Sequence, residues 1–137
     1  MNKKILVFGL SGSGKTTFSK KLISYSNNID HYDADKVRTA FDDWDFSLKG
    51  RERQNMRMIY LSNLSNLNNK HAICDYINPF EKNRNDYDLK IFMNTVDSSK
   101  YKNTDLIFET PKNLDYEITS FDEELNLDII KKILNEL

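Results

Sequence analysis

An α/β fold, with a parallel β-sheet of about five strands and helices on both faces, is what this sequence predicts. Three observations carry the prediction. Short apolar runs alternate with stretches of helical periodicity, the pattern of βαβ units. The first run, Ile5-Leu6-Val7-Phe8, is apolar without a break, as a strand covered on both faces must be. Glycine-rich or acidic turns then follow the runs, where open parallel sheets bind their ligands.

The elements follow in order. Residues 5–8 form the first strand and pass directly into a glycine-rich loop, 9–14. Residues 15–25 carry Phe18, Leu22 and Tyr25 at helical spacing, and Asn27-Asn28 break that helix. A second short strand covers 29–33, a helix 35–41 and a loop 42–47. Residues 50–67 give the longest helical signal, with Met56, Tyr60, Leu64 and Leu67 on one stripe. Residues 71–77 and 89–93 suit a third and a fourth strand. Pro79 opens a turn or short helix that ends near residue 88. Residues 95–111 have mixed signals and receive no assignment. A fifth strand fits 116–119. Residues 122–137 read as a closing amphipathic helix, with Leu125, Ile129, Ile130, Ile133, Leu134 and Leu137 on its apolar side. Acids at its start and lysines later suit the helix dipole.

With 137 residues, the chain is expected to be one domain over 1–137. Twenty basic and 21 acidic residues give a net charge of −1, which argues against a broad nucleic-acid surface. A single cysteine, Cys74, excludes an internal disulfide framework and fits a reducing compartment. Cys74 reads as a small buried hydrophobe, and His31 and His71, without metal-ligand spacing, read as structural. No apolar run approaches the roughly 20 residues that span a membrane. The basic-then-apolar start is too short for a signal peptide, so no membrane partner and a cytoplasmic location are expected.

The strongest motif is Gly9-Leu10-Ser11-Gly12-Ser13-Gly14-Lys15-Thr16, which fits G-x-x-x-x-G-K-[ST] at every fixed position. Its glycines let successive N–H groups converge on a phosphate, and the helix that follows adds the positive end of its dipole. Lys15 brings a point charge to the β- and γ-phosphates, and the Thr16 hydroxyl can ligate Mg²⁺. With a strand before it and a helix after it, the motif predicts a P-loop NTPase-type sheet that binds a nucleoside triphosphate.

The other strand ends are less specific. Asp33-Ala34-Asp35 places two carboxylates where one can face a metal and one can accept a hydroxyl proton; equally, one can cap the helix that follows. Ala72-Ile73-Cys74-Asp75 has the form of a Walker B strand, or of an aspartate bonded to nearby backbone. Arg51 and Gln54 share one helical face, and Arg53 and Arg57 another, so they either grip an anionic acceptor or form a solvated surface.

Taken in series, these segments resemble the adenylylsulfate kinase family, P-loop kinases that phosphorylate the 3′-hydroxyl of adenosine 5′-phosphosulfate with ATP. The family's GLSGSGKTT stands unaltered at Gly9 to Thr17. Its D-G-D-x-[IV]-R appears as Asp33-Ala34-Asp35-Lys36-Val37-Arg38. Its G-F-S and D-R-x-x-N appear as Asp45-Phe46-Ser47 and Gly50-Arg51-Glu52-Arg53-Gln54, and its F-I-S-P-[YF] and D-R-D as Tyr76-Ile77-Asn78-Pro79-Phe80 and Asn83-Arg84-Asn85. The resemblance implies ATP and Mg²⁺ as cofactors and a small nucleotide as acceptor; a homodimer stays open. It implies triphosphate binding by Gly9, Ser11, Gly12, Ser13, Gly14, Lys15, Thr16 and Thr17, and catalysis by Lys15, Asp33 and Asp35. Thr16, Asp33 and Asp75 would serve the metal. Asp35, Arg38, Phe46, Arg51, Gln54, Ile77 and Asn78 would bind the acceptor: the two arginines its anionic group, Phe46 by stacking on its base, Gln54 by a hydrogen bond to that base.

Three departures stand out. Asn78 replaces the serine of I-S-P, and Gln54 replaces an asparagine. The family's R-D-x-K-G-L-Y lid has no counterpart in Asn94 to Lys102, although Lys100, Lys102 and Phe108 are candidates for part of its work. Without that lid, two alternatives accompany the adenylylsulfate reading: a kinase of another nucleotide-linked acceptor such as a cytidine diphosphoramidate, and a catalytically impaired nucleotide-binding module.

Overall fold

The computed structural model describes all 137 residues. Five strands, β1 (Lys4–Phe8), β2 (Ile29–Asp33), β3 (His71–Tyr76), β4 (Leu89–Met93) and β5 (Tyr116–Ile118), form one sheet in the order β2-β3-β1-β4-β5. Every pairing is parallel. The unbroken apolar run of β1 takes the centre, where Ile5, Leu6, Val7 and Phe8 are all fully buried. The chain leaves β1 toward β2 on one side and leaves β3 toward β4 on the other, so its connections diverge between the carboxyl ends of β1 and β3. Such a switch point opens a crevice for ligands.

Period-two alternation divides β1 between two cores. Ile5 and Val7 pack with Phe18 and Leu22 of α1 (Lys15–Ile23) and with Ile130 and Ile133 of α6 (Glu123–Asn135). Leu6 and Phe8 pack on the other face with Val37 of α2 (Ala34–Phe41), Met58 of α3 (Leu48–Leu67), Cys74 and Tyr87. Two short helices, α4 (Glu81–Arg84) and α5 (Lys102–Ile107), lie in the connections on either side of β4.

The helix boundaries have local causes. Asp33 caps α2 by accepting from the Asp35 N–H at 2.9 Å. Ser47 caps α3 through the Gly50 N–H at 3.2 Å, and Asp122 caps α6 through the Glu124 N–H. Helix α3 departs from expectation in which side it buries. Met56, Tyr60, Leu64 and Leu67 face solvent, while Gln54, Asn55, Met58, Ser62 and Ser65 face the sheet. Polar residues can line that buried side because they find partners there: Ser65 Oγ donates to Asp30 and meets the Tyr32 hydroxyl, and Asn55 accepts from the Tyr76 hydroxyl. Leu125 of α6 is likewise exposed. Cys74 is fully buried, and burial pushes its thiol up to about 12. Phe108 is not part of a lid: it stacks on Phe8 and Phe92 in the sheet core. No helix is long and apolar enough to cross a membrane.

Candidate active site

Two connected cavities open at the carboxyl edge of the sheet. The larger, about 940 Å³, lies over the loop between β1 and α1. Ser11, Gly12, Gly14, Lys15, Thr16 and Thr17 line it. Gly12 and Gly14 hold φ of +81° and +91°, a region that side chains rarely adopt, and this turns the loop into a concave nest of amides. Gly9 serves a different need: a Cβ there would sit 2.6 Å from the Met93 carbonyl oxygen, so only glycine lets the loop leave β1 against β4. Gly9 and Ser13 are buried behind the nest, and the Ser13 carbonyl accepts from the Thr95 hydroxyl at 2.7 Å.

Lys15 donates from Nζ to the Leu10 carbonyl at 2.8 Å, curled within its own loop. Burial lowers its ammonium to about 8, against the opposing pull of Asp75, Asp35 and Asp33. The cation is therefore held in a desolvated place where a phosphate is its natural partner.

The ends of β2 and β3 lie side by side, with Asp33 opposite Asp75. Asp75 is buried and accepts from the Thr16 hydroxyl at 3.3 Å, the contact expected of a Walker B carboxylate. Its second oxygen meets His31 Nε2. His31 thus reaches the site from within β2, which no spacing in the sequence announced. His71 is structural, accepting from the Lys3 N–H at 2.9 Å. Asp35 stands in the first turn of α2, and burial, with Asp33 beside it, raises its carboxyl above the ordinary range.

No three acidic, histidine or cysteine side chains converge into a metal cage. The donors present are a threonine hydroxyl and carboxylates at strand ends. Such hard oxygen ligands fit Mg²⁺, which typically takes one or two carboxylates and completes its shell with phosphates and water.

The smaller cavity, about 90 Å³, is lined by Asp33, Asp35, Arg38, Phe46, Arg51, Gln54, Ile77 and Asn78, among others. It brings together every residue assigned to the acceptor from sequence. Four arginines fix the 42–47 loop at its mouth. Arg38 donates to the carbonyls of Asp43 and Asp45 at 2.9 and 3.2 Å; Arg53 and Arg57 pair with Asp43, and Arg53 also with Asp45. The Arg53 and Arg57 hydrogen bonds hold the Asp43 carboxyl well below the usual carboxylate range. Phe46, half exposed, has the Arg38 and Arg51 guanidiniums 4.4 and 5.4 Å from its ring centroid. Arg51 also donates to the Phe46 carbonyl and to Thr104 Oγ1, both at 2.9 Å. Gln54 lines the cavity with its amide engaged inside the protein. It donates to the Ala34 carbonyl at 3.0 Å and accepts from Arg57 at 3.2 Å.

The segment left unassigned in sequence supplies the far wall of the larger cavity. Lys100, Tyr101, Lys102, Asn103 and Thr104 line it together with Trp44. Asp105 ties this wall down, accepting from the N–H and hydroxyl of Ser99 at 2.7 and 2.6 Å. The two lysines were the one signal available in the sequence.

A parallel sheet in this strand order, with a Gly-x-x-x-x-Gly-Lys-Thr nest after its central strand and a second cavity meeting the first, defines a P-loop kinase fold. Comparison with known proteins narrows the class. The adenylylsulphate kinase family profile matches residues 1–113, and the chain belongs to that family. It is 34% identical over 85 residues to a probable adenylyl-sulfate kinase of Pyrococcus abyssi, an alignment that covers 58% of this chain and 49% of that protein. The chain spans about half the length of that curated relative. Among solved structures, it resembles the Mycobacterium tuberculosis APS kinase CysC in complex with AMPPNP and APS, with TM-score 0.71, 19% identity and coverage of 95% and 96% of the two chains. Shikimate kinase from Acinetobacter baumannii shares the fold at TM-score 0.64 and 14% identity, over 99% and 95% of the chains.

Proposed function

We propose that this chain is an ATP-dependent kinase that transfers the γ-phosphoryl group of ATP to the 3′-hydroxyl of adenosine 5′-phosphosulfate. The observation that carries this reading is the junction of the two cavities. Thr16, Asp35, Phe46, Arg51 and Ile77 line both. A triphosphate seated in the nest would direct its terminal phosphate toward the cavity walled by Arg38, Arg51 and Phe46. Family membership and the likeness to a kinase structure bound to AMPPNP and APS support the choice of substrates.

In this reading the loop amides and Lys15 bind the triphosphate, and Arg38 and Arg51 bind the acceptor's anionic end. Phe46 stacks on the base. Asp35 is the base toward the hydroxyl: it lines both cavities, whereas Asp33 lines only the smaller one and uses one carboxylate oxygen to cap α2. Its raised carboxyl suits proton acceptance better than an ordinary aspartate would. As the acceptor oxygen bonds to the γ-phosphorus, the bond to the β–γ bridging oxygen breaks, ADP leaves and the hydroxyl proton passes to Asp35. Thr16, Asp33 and Asp75 would hold Mg²⁺, which when bound supplies charge neutralisation on the phosphates.

The test is acceptor-dependent ADP release with adenosine 5′-phosphosulfate, read beside a cytidine diphosphoramidate and against no acceptor. Release confined to the adenosine acceptor, with 3′-phosphorylated product, is expected. Preference for the cytidine acceptor would move the assignment within the family, where the Lys100–Thr104 wall stands in place of the usual lid segment. Tight ATP binding without transfer to either would refute it.

A further inference from the structure

The acceptor cavity contains a carboxamide with no partner. Asn78 follows β3, lines the cavity and is 2% exposed. Both its Nδ2 and its Oδ1 are buried without a hydrogen bond, two of only four such side-chain atoms in the molecule. Buried amides are ordinarily paired, because a dry donor or acceptor forfeits the hydrogen bonds it made to water.

The residue is firmly held. Its φ is +46°, a left-handed conformation that asparagine tolerates better than most side chains. Its carbonyl accepts from Arg84 Nε at 2.8 Å. Arg84 is itself fully buried, donates to the carbonyls of Pro79 and Glu109, pairs with Glu81 and lies over the rings of Phe8 and Phe108. Both amide atoms are covered in this structure, so a side-chain turn on this fixed backbone must present them to the cavity, where a ligand group that both donates and accepts would satisfy them.

The acceptor's anionic end does not meet that need, since sulfate and phosphate oxygens accept only and would leave Oδ1 facing them. A lone hydroxyl would have to crowd both contacts onto a single oxygen, whereas the carboxamide presents its donor and acceptor side by side. The edge of an aminated nucleobase presents a ring nitrogen that accepts beside an amino group that donates, and asparagine pairs with it through two bonds. Gln54, the sequence's candidate for this task, has its amide engaged elsewhere.

We infer that Asn78 reads the base of the acceptor, Nδ2 donating to a ring nitrogen of adenine and Oδ1 accepting from the 6-amino group. The inference rests on the proposed adenylylsulfate reading and deepens it, making Asn78 a specificity-determining residue of that site.

The experiment compares adenosine 5′-phosphosulfate with its purine-riboside analogue, which lacks the 6-amino group, in the wild type, Asn78→Gly and Asn78→Asp. Both replacements tolerate positive φ, and retained thermal stabilisation by ATP reports that each variant folds. In the wild type, kcat/KM should fall about tenfold or more on the analogue, chiefly through KM. In Asn78→Gly the two acceptors should differ by less than about threefold, and Asn78→Asp should lose the adenosine acceptor because its carboxylate cannot donate to the ring nitrogen. Equal discrimination in wild type and Asn78→Gly would overturn the assignment and leave the kinase reading standing. A wild type that turns over neither acceptor overturns both.

Discussion

The mutation Gly50→Ala isolates the machinery that shapes the acceptor cavity. Gly50 lies in the first turn of α3, directly beneath the 42–47 loop. A Cβ there would lie 2.1 Å from the Asp45 carbonyl oxygen and 2.5 Å from Asp45 Cγ. Since real Cβ contacts essentially never fall below 3.0 Å, the Asp45 backbone must yield by 0.9 Å. That carbonyl is also an acceptor for Arg38, at 3.2 Å, and a lengthening of the size of that shift carries the contact beyond hydrogen-bond range. Overpacking of this kind costs about 1–3 kcal/mol. For a domain of this size that lowers Tm by about 3–10 °C. The displaced loop carries Phe46, so the acceptor kcat/KM should drop about tenfold or more through KM. ATP affinity, set chiefly by the loop amides and Lys15 across the crevice, should fall less than the acceptor's, because only Trp44 and Phe46 of the displaced loop reach the larger cavity. Thermal melts, ATP titration and acceptor kinetics on one preparation decide the matter. An alanine variant that melts with the wild type and keeps its acceptor KM would refute the reasoning, as would one that loses ATP and acceptor binding in equal measure.

Because burial holds the free Lys15 ammonium near 8 and a bound triphosphate favours its charged form, ATP affinity is fully present below that pH and lost as pH rises through it. Calorimetry in EDTA should show ATP binding weaken about tenfold between pH 7 and pH 9 in the wild type and stay level in Lys15→Arg. Lys15→Ala should abolish transfer and weaken ATP binding, whereas Arg51→Ala should raise acceptor KM and largely spare ATP; titrations showing equal loss of ATP affinity in both would contradict the division between the cavities. Arg84→Met removes the buried hold on the Asn78, Pro79 and Glu109 carbonyls and leaves Glu81 without its partner, so urea unfolding should record a loss of about 3–5 kcal/mol. A loss below about 1 kcal/mol would show that the turn after β3 does not depend on it.

Where the sequence was legible, one signal was enough to place a residue. The strand β1 and the loop after it are read together because continuous apolarity and the glycine–lysine motif are both local. The rule that ligands gather at strand ends singles out the acids at the ends of β2 and β3, and all three line one cavity. The apolar stripe of α3 misleads about orientation because its buried side is polar and becomes satisfied only through partners on β2 and β3, distant in sequence. His31 at Asp75 has the same cause: adjacent strands bring the two into contact across 44 positions of chain. The wall at Lys100–Thr104 is held by side-chain bonds from Asp105 to Ser99 rather than by periodic apolar contacts, so no periodicity betrays it. The loss of partners at Asn78 could be seen only once its surroundings were built.

The placement of these groups has a consequence for how the two substrates would be aligned. Near its end strand β3 carries Asp75, which holds Thr16 of the phosphate loop, and two and three residues on come Ile77, at the junction of the two cavities, and Asn78, in the smaller one. Strand β2 ends in Asp33, in the smaller cavity, and two residues on comes Asp35, at the junction; the two strands are locked in register, Asp33 against Asp75. The distance between phosphate and acceptor groups is therefore fixed by ladder hydrogen bonds in the middle of the fold, which open only when the core does. The parts that cover the acceptor, the 42–47 loop and the Lys100–Thr104 wall, are held by side-chain bonds outside the sheet. In the proposed reading, a change of acceptor can be made by substitution in those coverings while the spacing of Thr16 and Asp35 is kept.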